Sequence, residues 1–233
     1  MRKTTFHGIF FLLFFINTGI SQHKNILECM QVIGFDADQS VIADIDLKWC
    51  DTIVDLKSGY FELNYAFGGD TKYKICQVAK FNNTDGTILI GITGYYADEQ
   101  CSNYPSTFYE ISKSEDLFTP LEIKTILPSL DFHLFFIDPN PIQILEKYLP
   151  EIKDKYLGSE ATLEDILNEV YDYRIIIPRK GTTAKVTLTV CDYIPLNEVS
   201  INRDDWSVVE ENIRVVEFAY DRDKKQFMPM LNE

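Results

Sequence analysis

Apolar and polar side chains alternate over residues 173–193, and this period-two pattern predicts two paired β-strands. Tyr173, Ile175 and Ile177 share one face of the first strand, and apolar residues at positions 184, 186, 188 and 190 share one face of the second. Pro178 and Gly181 interrupt the alternation between them. The stretch therefore predicts a β-hairpin with one apolar and one polar face.

The first half of the chain contains a second run of strand patterns. They cover residues 60–66, 73–81, 87–96, 107–112 and 118–123, and residues 82–86 read Asn-Asn-Thr-Asp-Gly, a strong hairpin signal. A turn centred between residues 84 and 85 would place Phe81 opposite Ile88 and Ala79 opposite Ile90. Gly91 leaves room for a close neighbour. Residues 131–137, 212–220 and 227–230 complete the predicted strands.

Helical periodicity separates these strand runs. Residues 140–158 carry apolar side chains at three- and four-residue steps, with Pro150 predicted to kink or divide the helix and Gly158 to end it. Thr162 and Asp165 form a capping-box pattern that opens another helix. Residues 37–56 are also predicted as helix from apolar spacing. Residues 25–33 fit a short helix or an extended segment, and residues 195–205 a loop or lid.

The order of these elements predicts an α+β protein with antiparallel β-meanders and short helices. The pattern Phe-x-Pro-apolar recurs at Phe118 and Phe227, each time at the end of a run of antiparallel strands that follows a helical stretch. A duplicated helix-plus-meander unit explains this similarity, with one lobe at residues 22–137 and the other at 138–233. The alternative is that similar hairpins look alike by chance and the chain is one domain.

The first 21 residues have the composition of a secretory signal peptide. Two basic residues precede the apolar run 9–16, and Gly19 and Ser21 place small residues where a signal peptidase reads, which predicts cleavage before Gln22. The apolar run is shorter than the roughly 20 residues of a membrane-spanning helix. We therefore expect an exported protein, periplasmic or extracellular, without stable membrane insertion after cleavage; an uncleaved anchor is the alternative.

The net charge limits the classes of partner that the protein can bind, and the spacing of its cysteines limits their redox and metal chemistry. The chain has 36 acidic and 22 basic residues, and its net charge of −14 repels nucleic acid. All five cysteines follow the predicted cleavage site, and none are spaced as Cys-x-x-Cys, which disfavours zinc ribbons and thioredoxin-like chemistry. Sequence proximity favours Cys29–Cys50 and Cys76–Cys101 pairs with Cys191 free, and a chain without disulfides is equally compatible.

The sequence lacks the common catalytic and metal-binding patterns. The predicted mature chain retains two histidines, and His133 is the one away from its N-terminus, so a histidine-based zinc site is disfavoured. Asp36 and Asp38 match the start of an EF-hand calcium loop, but Val41 replaces its glycine and Leu47 its bidentate glutamate. Gly-x-Ser-x-Gly and Walker-type loops are absent. We therefore assign no catalytic residue, metal or cofactor from the sequence.

Two groups of residues are candidates for binding. The first is basic, has no acidic residue between positions 172 and 192, and suits an acidic partner, including a second copy of the chain. Its alternative role is a solvated turn whose cations protect an edge strand from aggregation. The second is an aromatic loop that suits sugar or peptide binding, with core packing as the alternative. The partner-binding candidates are Arg174, Arg179, Lys180 and Lys185, and the ligand-binding candidates are Tyr95, Tyr96, Asp98 and Tyr104.

Three segments resemble a loose set of exported proteins of the Bacteroidetes type. They are residues 58–62 (Ser-Gly-Tyr-Phe-Glu), the hairpin at 79–90, and residues 178–183 (Pro-Arg-Lys-Gly-Thr-Thr), within a resemblance that spans residues 58–227. The resemblance implies export and an architecture of α+β lobes. It brings no catalytic residues with it, because no function is assigned to that set.

These observations favour a non-enzymatic binding or interaction module of the cell envelope with a protein or glycan partner. One alternative is a hydrolase that acts on envelope sugars or peptides through two carboxylates. Another is an inhibitor or immunity-type protein whose acidic surface meets a basic partner. A binding module would tolerate single Asp→Asn or Glu→Gln changes in a cleft, whereas an enzyme would lose activity by orders of magnitude.

Overall fold

Two antiparallel sheets and five α-helices make up the described part of the chain. The computed structural model describes residues 24–33, 50–66, 73–96, 106–112, 117–190 and 199–230. The helices are α1 (Ile26–Val32), α2 (Ile123–Ile126), α3 (Asn140–Ile152), α4 (Leu163–Val170) and α5 (Arg203–Glu211); the strands are β1 (Cys50–Asp55), β2 (Tyr60–Ala66), β3 (Tyr73–Asn82), β4 (Ile88–Tyr96), β5 (Thr107–Ile111), β6 (Phe118–Leu121), β7 (Tyr171–Ile176), β8 (Thr183–Val190), β9 (Val216–Asp221) and β10 (Gln226–Pro229). Strands β1–β6 form one sheet and β7–β10 the other, each in chain order. The predicted α+β class with β-meanders is confirmed.

Helix α1 covers one face of the six-stranded sheet. Asn25 caps it, because its side chain accepts from the amides of residues 27 and 28 while its own amide donates to Glu28 Oε2 at 2.7 Å. Of the two predictions for this segment, the helix is therefore confirmed. The buried cluster between helix and sheet includes Ile26, Cys29, Met30, Leu63, Cys76, Val78 and Ile90.

Strand β1 overturns part of the helix predicted for residues 37–56. It pairs antiparallel with β2, with Ile53 opposite Glu62. Thr52, Ile53 and Val54 are consecutive β-branched residues, which lose side-chain freedom in a helix and fit a pleated strand. The helix prediction is wrong for residues 50–55, and its positions 37–49 lie outside the described residues.

The β3–β4 hairpin forms as predicted, but one residue out of the expected register. Phe81 lies opposite Leu89 rather than Ile88. All the remaining pairs of the hairpin are shifted by the same one residue, so that Ala79 lies opposite Gly91. The loop holds the five residues 83–87: the Asn83 amide donates to the carbonyl of residue 87 at 3.0 Å, and Gly86 has a φ of 87°. This loop is centred on residue 85, with glycine in the left-handed region, rather than on the bond between residues 84 and 85 that the prediction assumed.

Helix α3 continues through Pro150 rather than dividing there. The proline lacks an amide donor, but the Lys153 amide still reaches the carbonyls of Leu149 and Pro150. The α-helix ends at Ile152, and a π-helical turn, Lys153–Leu157, follows it directly. Gly158 ends this turn with a φ of 86°, as predicted.

Capping side chains begin the next two helices. At α4 the Thr162 amide donates to Asp165 Oδ2 at 2.6 Å and Thr162 Oγ1 accepts from the Asp165 amide at 3.2 Å, which confirms the predicted capping box. At α5 the Asn202 side chain accepts from the Asp205 amide at 2.7 Å. This helix begins inside the predicted loop 195–205. Val209 is the one buried residue of this helix, so the sequence has no apolar stripe from which the helix could be predicted.

Residues 131–137 do not form the predicted buried strand. They contain a 3₁₀ helix, Phe132–Phe135, whose first turn is capped where Asp131 Oδ1 accepts from the His133 amide at 2.9 Å. Phe135 and Phe136 are both buried although adjacent, which a strand with one buried face does not allow. Only an isolated bridge between Phe136 and Ile213 is strand-like.

The two sheets share a hydrophobic core. Phe81 contacts Tyr220 and Phe227 of the four-stranded sheet, with ring centroids 4.9 Å and 5.1 Å apart. A Cβ built on Gly91 would lie 2.8 Å from Ile177 Cδ1, so the room predicted beside this glycine is confirmed and filled by the other sheet. Residues from both predicted lobes thus belong to one buried cluster. The boundary near residue 137 stays a prediction.

The two Phe-x-Pro-apolar motifs occupy corresponding places in the two sheets. They form the last strands, β6 and β10, each at a sheet edge, with Pro120 opposite Tyr109 and Pro229 opposite Phe218. An edge suits proline, which has no amide to donate to a further strand. The phenylalanines differ in environment, because Phe227 is buried and Phe118 is exposed. A duplication of the two halves stays a prediction.

Candidate interaction surface

The basic hairpin, β7 and β8, presents one apolar face to the core and one polar face outward. Tyr173 pairs with Leu188 and Ile175 with Val186, all on the inward face. Lys185, on the opposite face, is exposed. The two faces predicted from the alternation are thus confirmed. The turn at residues 177–182 contains Gly181 with a φ of 86°, a conformation that favours glycine.

The four predicted partner-binding residues divide into two pairs. Arg174 and Lys185 lie on the polar face of the hairpin, and Lys185 Nζ is 3.6 Å from Glu217 Oε1. Arg179 and Lys180 lie at the turn and are exposed. Arg179 Nε is 3.5 Å from Asp55 Oδ2 of β1. Lys180 makes no ion pair with any described residue, so it is the most available cation of the four.

One further cation, which sequence reasoning missed, joins this turn from a distant part of the chain. Gly181 and Thr182 line a shallow cavity together with residues 80–82 of β3 and Arg222 just after β9. The Lys80 side chain lies on the other face of β3, under α1, where its Nζ donates to the Lys24 carbonyl at 2.6 Å. Arg222 is flanked by aspartates in the chain, so only the packing of the two sheets reveals its association with the turn. We call Arg179, Lys180 and Arg222 the basic turn surface.

Two carboxylates border the basic turn surface and stay ionised. A hydrogen bond from the Ser58 amide, with a smaller contribution from Arg179, holds the pKa of Asp55 below its ordinary value. Burial alone would raise the pKa of Glu62, but hydrogen bonds to its carboxylate outweigh burial and lower the pKa. Both groups therefore accept hydrogen bonds at neutral pH and are poor proton donors. The donors to Glu62 are Tyr60, Asn64 and Gln77.

Polar contacts between the β3–β4 loop and the β9–β10 turn fix the two sheets beside this surface. Lys225 Nζ lies 2.7 Å from Asp85 Oδ2 and 2.6 Å from Glu110 Oε2. The Tyr220 hydroxyl donates to Asn83 Oδ1 at 2.6 Å in a buried position. The hydrogen bond from Lys225 holds the pKa of Asp85 at about 2. The walls of the cavity are thus held by both side-chain pairing and the shared core.

Half of the predicted aromatic ligand site lies outside the described residues. Tyr95 and Tyr96 lie in the last positions of β4, where their backbones pair with Ile75 and Lys74. Asp98 and Tyr104 are not among the described residues. Ligand binding by this group stays a prediction.

The described residues contain no group of three or more His, Cys, Asp or Glu side chains that could hold a metal ion. His133 is exposed in the 3₁₀ helix. The stretch with partial EF-hand character, residues 36–47, lies outside the described part of the chain.

One of the two cysteine pairs favoured by sequence proximity does not form. Cys29 is a free, buried thiol on α1, which contradicts a Cys29–Cys50 bond. Burial raises the pKa of Cys29 to about 11, so the thiol is protonated and unreactive at neutral pH. Cys76 is buried in the same cluster, while Cys101 and Cys191 lie outside the described residues.

No family model, curated protein or solved structure matches the chain. Within the described ranges, no helix has the length and apolar character needed to cross a membrane.

Proposed function

We propose that the chain is an exported, non-enzymatic binding module of the cell envelope that contacts an acidic partner protein through the basic turn surface. The observation that supports this role is the gathering of Arg179, Lys180 and Arg222 around the β7–β8 turn of a protein of net charge −14. A positive patch on an acidic protein attracts an acidic partner and orients it during encounter.

Export rests on the signal-like first 21 residues, with their basic start, apolar run and small residues at positions 19 and 21. The mass of the intact protein isolated from its native cells tests it. We expect a chain that begins at Gln22, and a chain that retains Met1 would contradict signal cleavage.

A carboxylate hydrolase receives less support from the described residues. Asp172 is the carboxyl whose pKa burial raises, as a general acid requires. Its oxygen accepts from the Tyr173 amide at 2.8 Å, which works against that rise. A glycosidase also needs a second carboxylate held within about 5–10 Å, and one buried carboxyl does not by itself supply a catalytic pair.

Affinity capture with matched variants tests the binding role. The mature protein is immobilised, exposed to an envelope fraction of the native cells, and the retained proteins are quantified by mass spectrometry. Lys180→Glu is compared with Lys124→Glu, an exposed lysine on α2 that undergoes the same charge change away from the turn. We expect Lys180→Glu to deplete an acidic partner at least tenfold and Lys124→Glu to retain it. Equal retention by both variants would overturn the proposal.

A further inference from the structure

Three of the four sheet edges in the described part of the chain are closed to a further strand, two of them by proline. The Leu117 carbonyl and the Met230 amide bond back to the sheet at 3.1 Å and 2.7 Å. Because inward and outward backbone groups alternate along an edge strand, Pro120 in β6 and Pro229 in β10 face outward. Proline has no amide to donate, so neither strand can pair continuously with another.

The third edge, β7, is closed by side chains. Asp172 Oδ1 accepts from the Tyr173 amide at 2.8 Å, and Gln77 Oε1 accepts from the Ile177 amide, just after the strand, at 3.2 Å. Neither amide bonds to β8, so both belong to the free edge, and no two successive amides remain there for a further strand. Features of this kind protect sheet edges from unwanted pairing.

The fourth edge, β1, is open. The Lys80 amide donates to the Gly59 carbonyl at 2.9 Å, and from this bond the alternation through β2 places the amides and carbonyls of Thr52 and Val54 at the free edge of β1. These groups have no hydrogen-bond partner among the described residues. Both residues are exposed, Val54 by 44%. The strand has no proline and no break in its pairing with β2, so its edge is a template for strand addition.

Carboxylates line one side of this open edge. Asp51, Ile53 and Asp55 share a face of the sheet with Glu62, which lies opposite Ile53 in β2. Arg179 Nε, 3.5 Å from Asp55 Oδ2, offsets part of their charge, while Asp51 is exposed and forms no ion pair with a described residue. Opposite residues of paired strands have Cβ atoms about 4.5–5.5 Å apart, within reach of an ion pair. A strand added here therefore gains from basic residues opposite Asp51 and Asp55.

We infer that β1 binds an extended basic segment of a partner protein as a further antiparallel strand of the six-stranded sheet. The segment's backbone bonds to Thr52 and Val54, whose β-branched side chains favour apolar β-branched residues opposite them. Lysine or arginine opposite Asp51 and Asp55 supplies the complementary charge. Antiparallel pairing continues the pattern of the whole sheet. Both the surface and the ligand differ from those of the proposed function, so a failure of this inference leaves that proposal standing.

A second copy of the chain fits this edge less well than a basic segment does. Antiparallel pairing of β1 with itself about Ile53 would place Asp51 of each copy opposite Asp55 of the other, and like charges directly opposite are destabilising. The net charge of −14 on each chain adds long-range repulsion. The same net charge attracts a basic segment.

An NMR titration of the ¹⁵N-labelled mature protein with blocked seven-residue peptides tests this inference. The probe, Thr-Lys-Val-Ile-Val-Lys-Thr, places lysine opposite Asp51 and Asp55 and valine opposite Thr52 and Val54. We expect saturable shifts centred on residues 51–55 and protection of the residue 52 and 54 amides from hydrogen exchange. When glutamate replaces both lysines, the dissociation constant should rise at least tenfold.

N-methylation of the peptide separates strand pairing from charge attraction. In the antiparallel register the two valine amides bond to β1, whereas the two lysine amides face away from it. Methylation of the valine amides should therefore abolish binding, and methylation of the lysine amides, which leaves the same charge, should retain it. Equal binding by the two methylated peptides, or no saturable binding of the probe, would overturn the inference.

Variants of β1 complete the test. Val54→Pro removes an amide that faces the free edge and none that bonds to β2, so it should abolish peptide binding, just as Pro120 and Pro229 close their edges. Asp51→Lys should weaken binding at least tenfold, and Glu146→Lys, a matched charge change at an exposed position of α3, should leave it unchanged. The denaturation midpoint of each variant shows whether it is folded. Undiminished binding by Asp51→Lys, or by a folded Val54→Pro protein, would contradict strand addition at β1.

Discussion

Gly91→Ala probes the contact through which the two sheets share a core. The new Cβ would lie 2.8 Å from Ile177 Cδ1 and 2.9 Å from Phe108 Cε1. Both neighbours are buried, and the Phe108 ring has no flexible end that could yield. Overpacking of this kind costs about 1–3 kcal/mol. The loss of unfolded-state entropy when alanine replaces glycine returns about 0.4–1 kcal/mol.

These opposing effects give a net destabilisation of about 0–2.6 kcal/mol for Gly91→Ala. Ile177→Val removes the Cδ1 atom that makes the closest contact and on its own costs about 0.5–1.5 kcal/mol. In the double variant the alanine therefore costs less than it does alone, and we expect the two changes to be coupled by at least about 0.5 kcal/mol.

Urea denaturation of the wild type, the two single variants and the double variant measures this coupling. The comparison of midpoints is valid where the slope m is unchanged. If Gly91→Ala is more stable than the wild type, or if the two changes add within error, the sheets do not pack together at Gly91.

Two further predictions concern the charged contact at Lys225 and the thiol of Cys29. The pKa of Asp85 is about 2, below its ordinary value of about 3.9, so its contribution to stability is present above about pH 4 and is lost as the pH falls through about 2. Lys225→Met should return this pKa towards its ordinary value in an NMR titration of the carboxyl, and an unchanged pKa would show that Lys225 is not the partner. Cys29 should resist iodoacetamide at pH 8 in the native protein and react after unfolding, as measured by peptide mass spectrometry. Rapid native labelling would contradict its burial under α1.

Most of the strands and helices could be predicted from local sequence patterns. The alternation through Tyr173 and Val186 and the capping box at Thr162 are encoded by neighbouring residues, and both are confirmed. The β3–β4 register was missed because it depends on the left-handed conformation of Gly86, which changes the loop length without changing the hydrophobic pattern. The buried Phe135 and Phe136 likewise suggested a strand, although a 3₁₀ turn buries adjacent side chains.

The site was only half visible in the sequence. Arg179 and Lys180 stand together in the chain, so their charge is apparent there. Arg222 lies beside the β7–β8 turn only because Phe81 and Tyr220 bring β3 and β9 into contact. Long-range packing of this kind leaves no periodic signal, because Arg222 is a single residue just after an ordinary strand.

The association rate of the captured partner, measured against ionic strength, tests the proposed binding role most directly. If the basic turn surface meets an acidic partner, association with the wild type slows steeply as salt is added. The rate for Lys180→Glu is then lower at low salt and less dependent on salt, and Lys124→Glu behaves like the wild type. A faster association for Lys180→Glu would contradict this account, because it would mean that the acidic surface of the protein meets a basic partner.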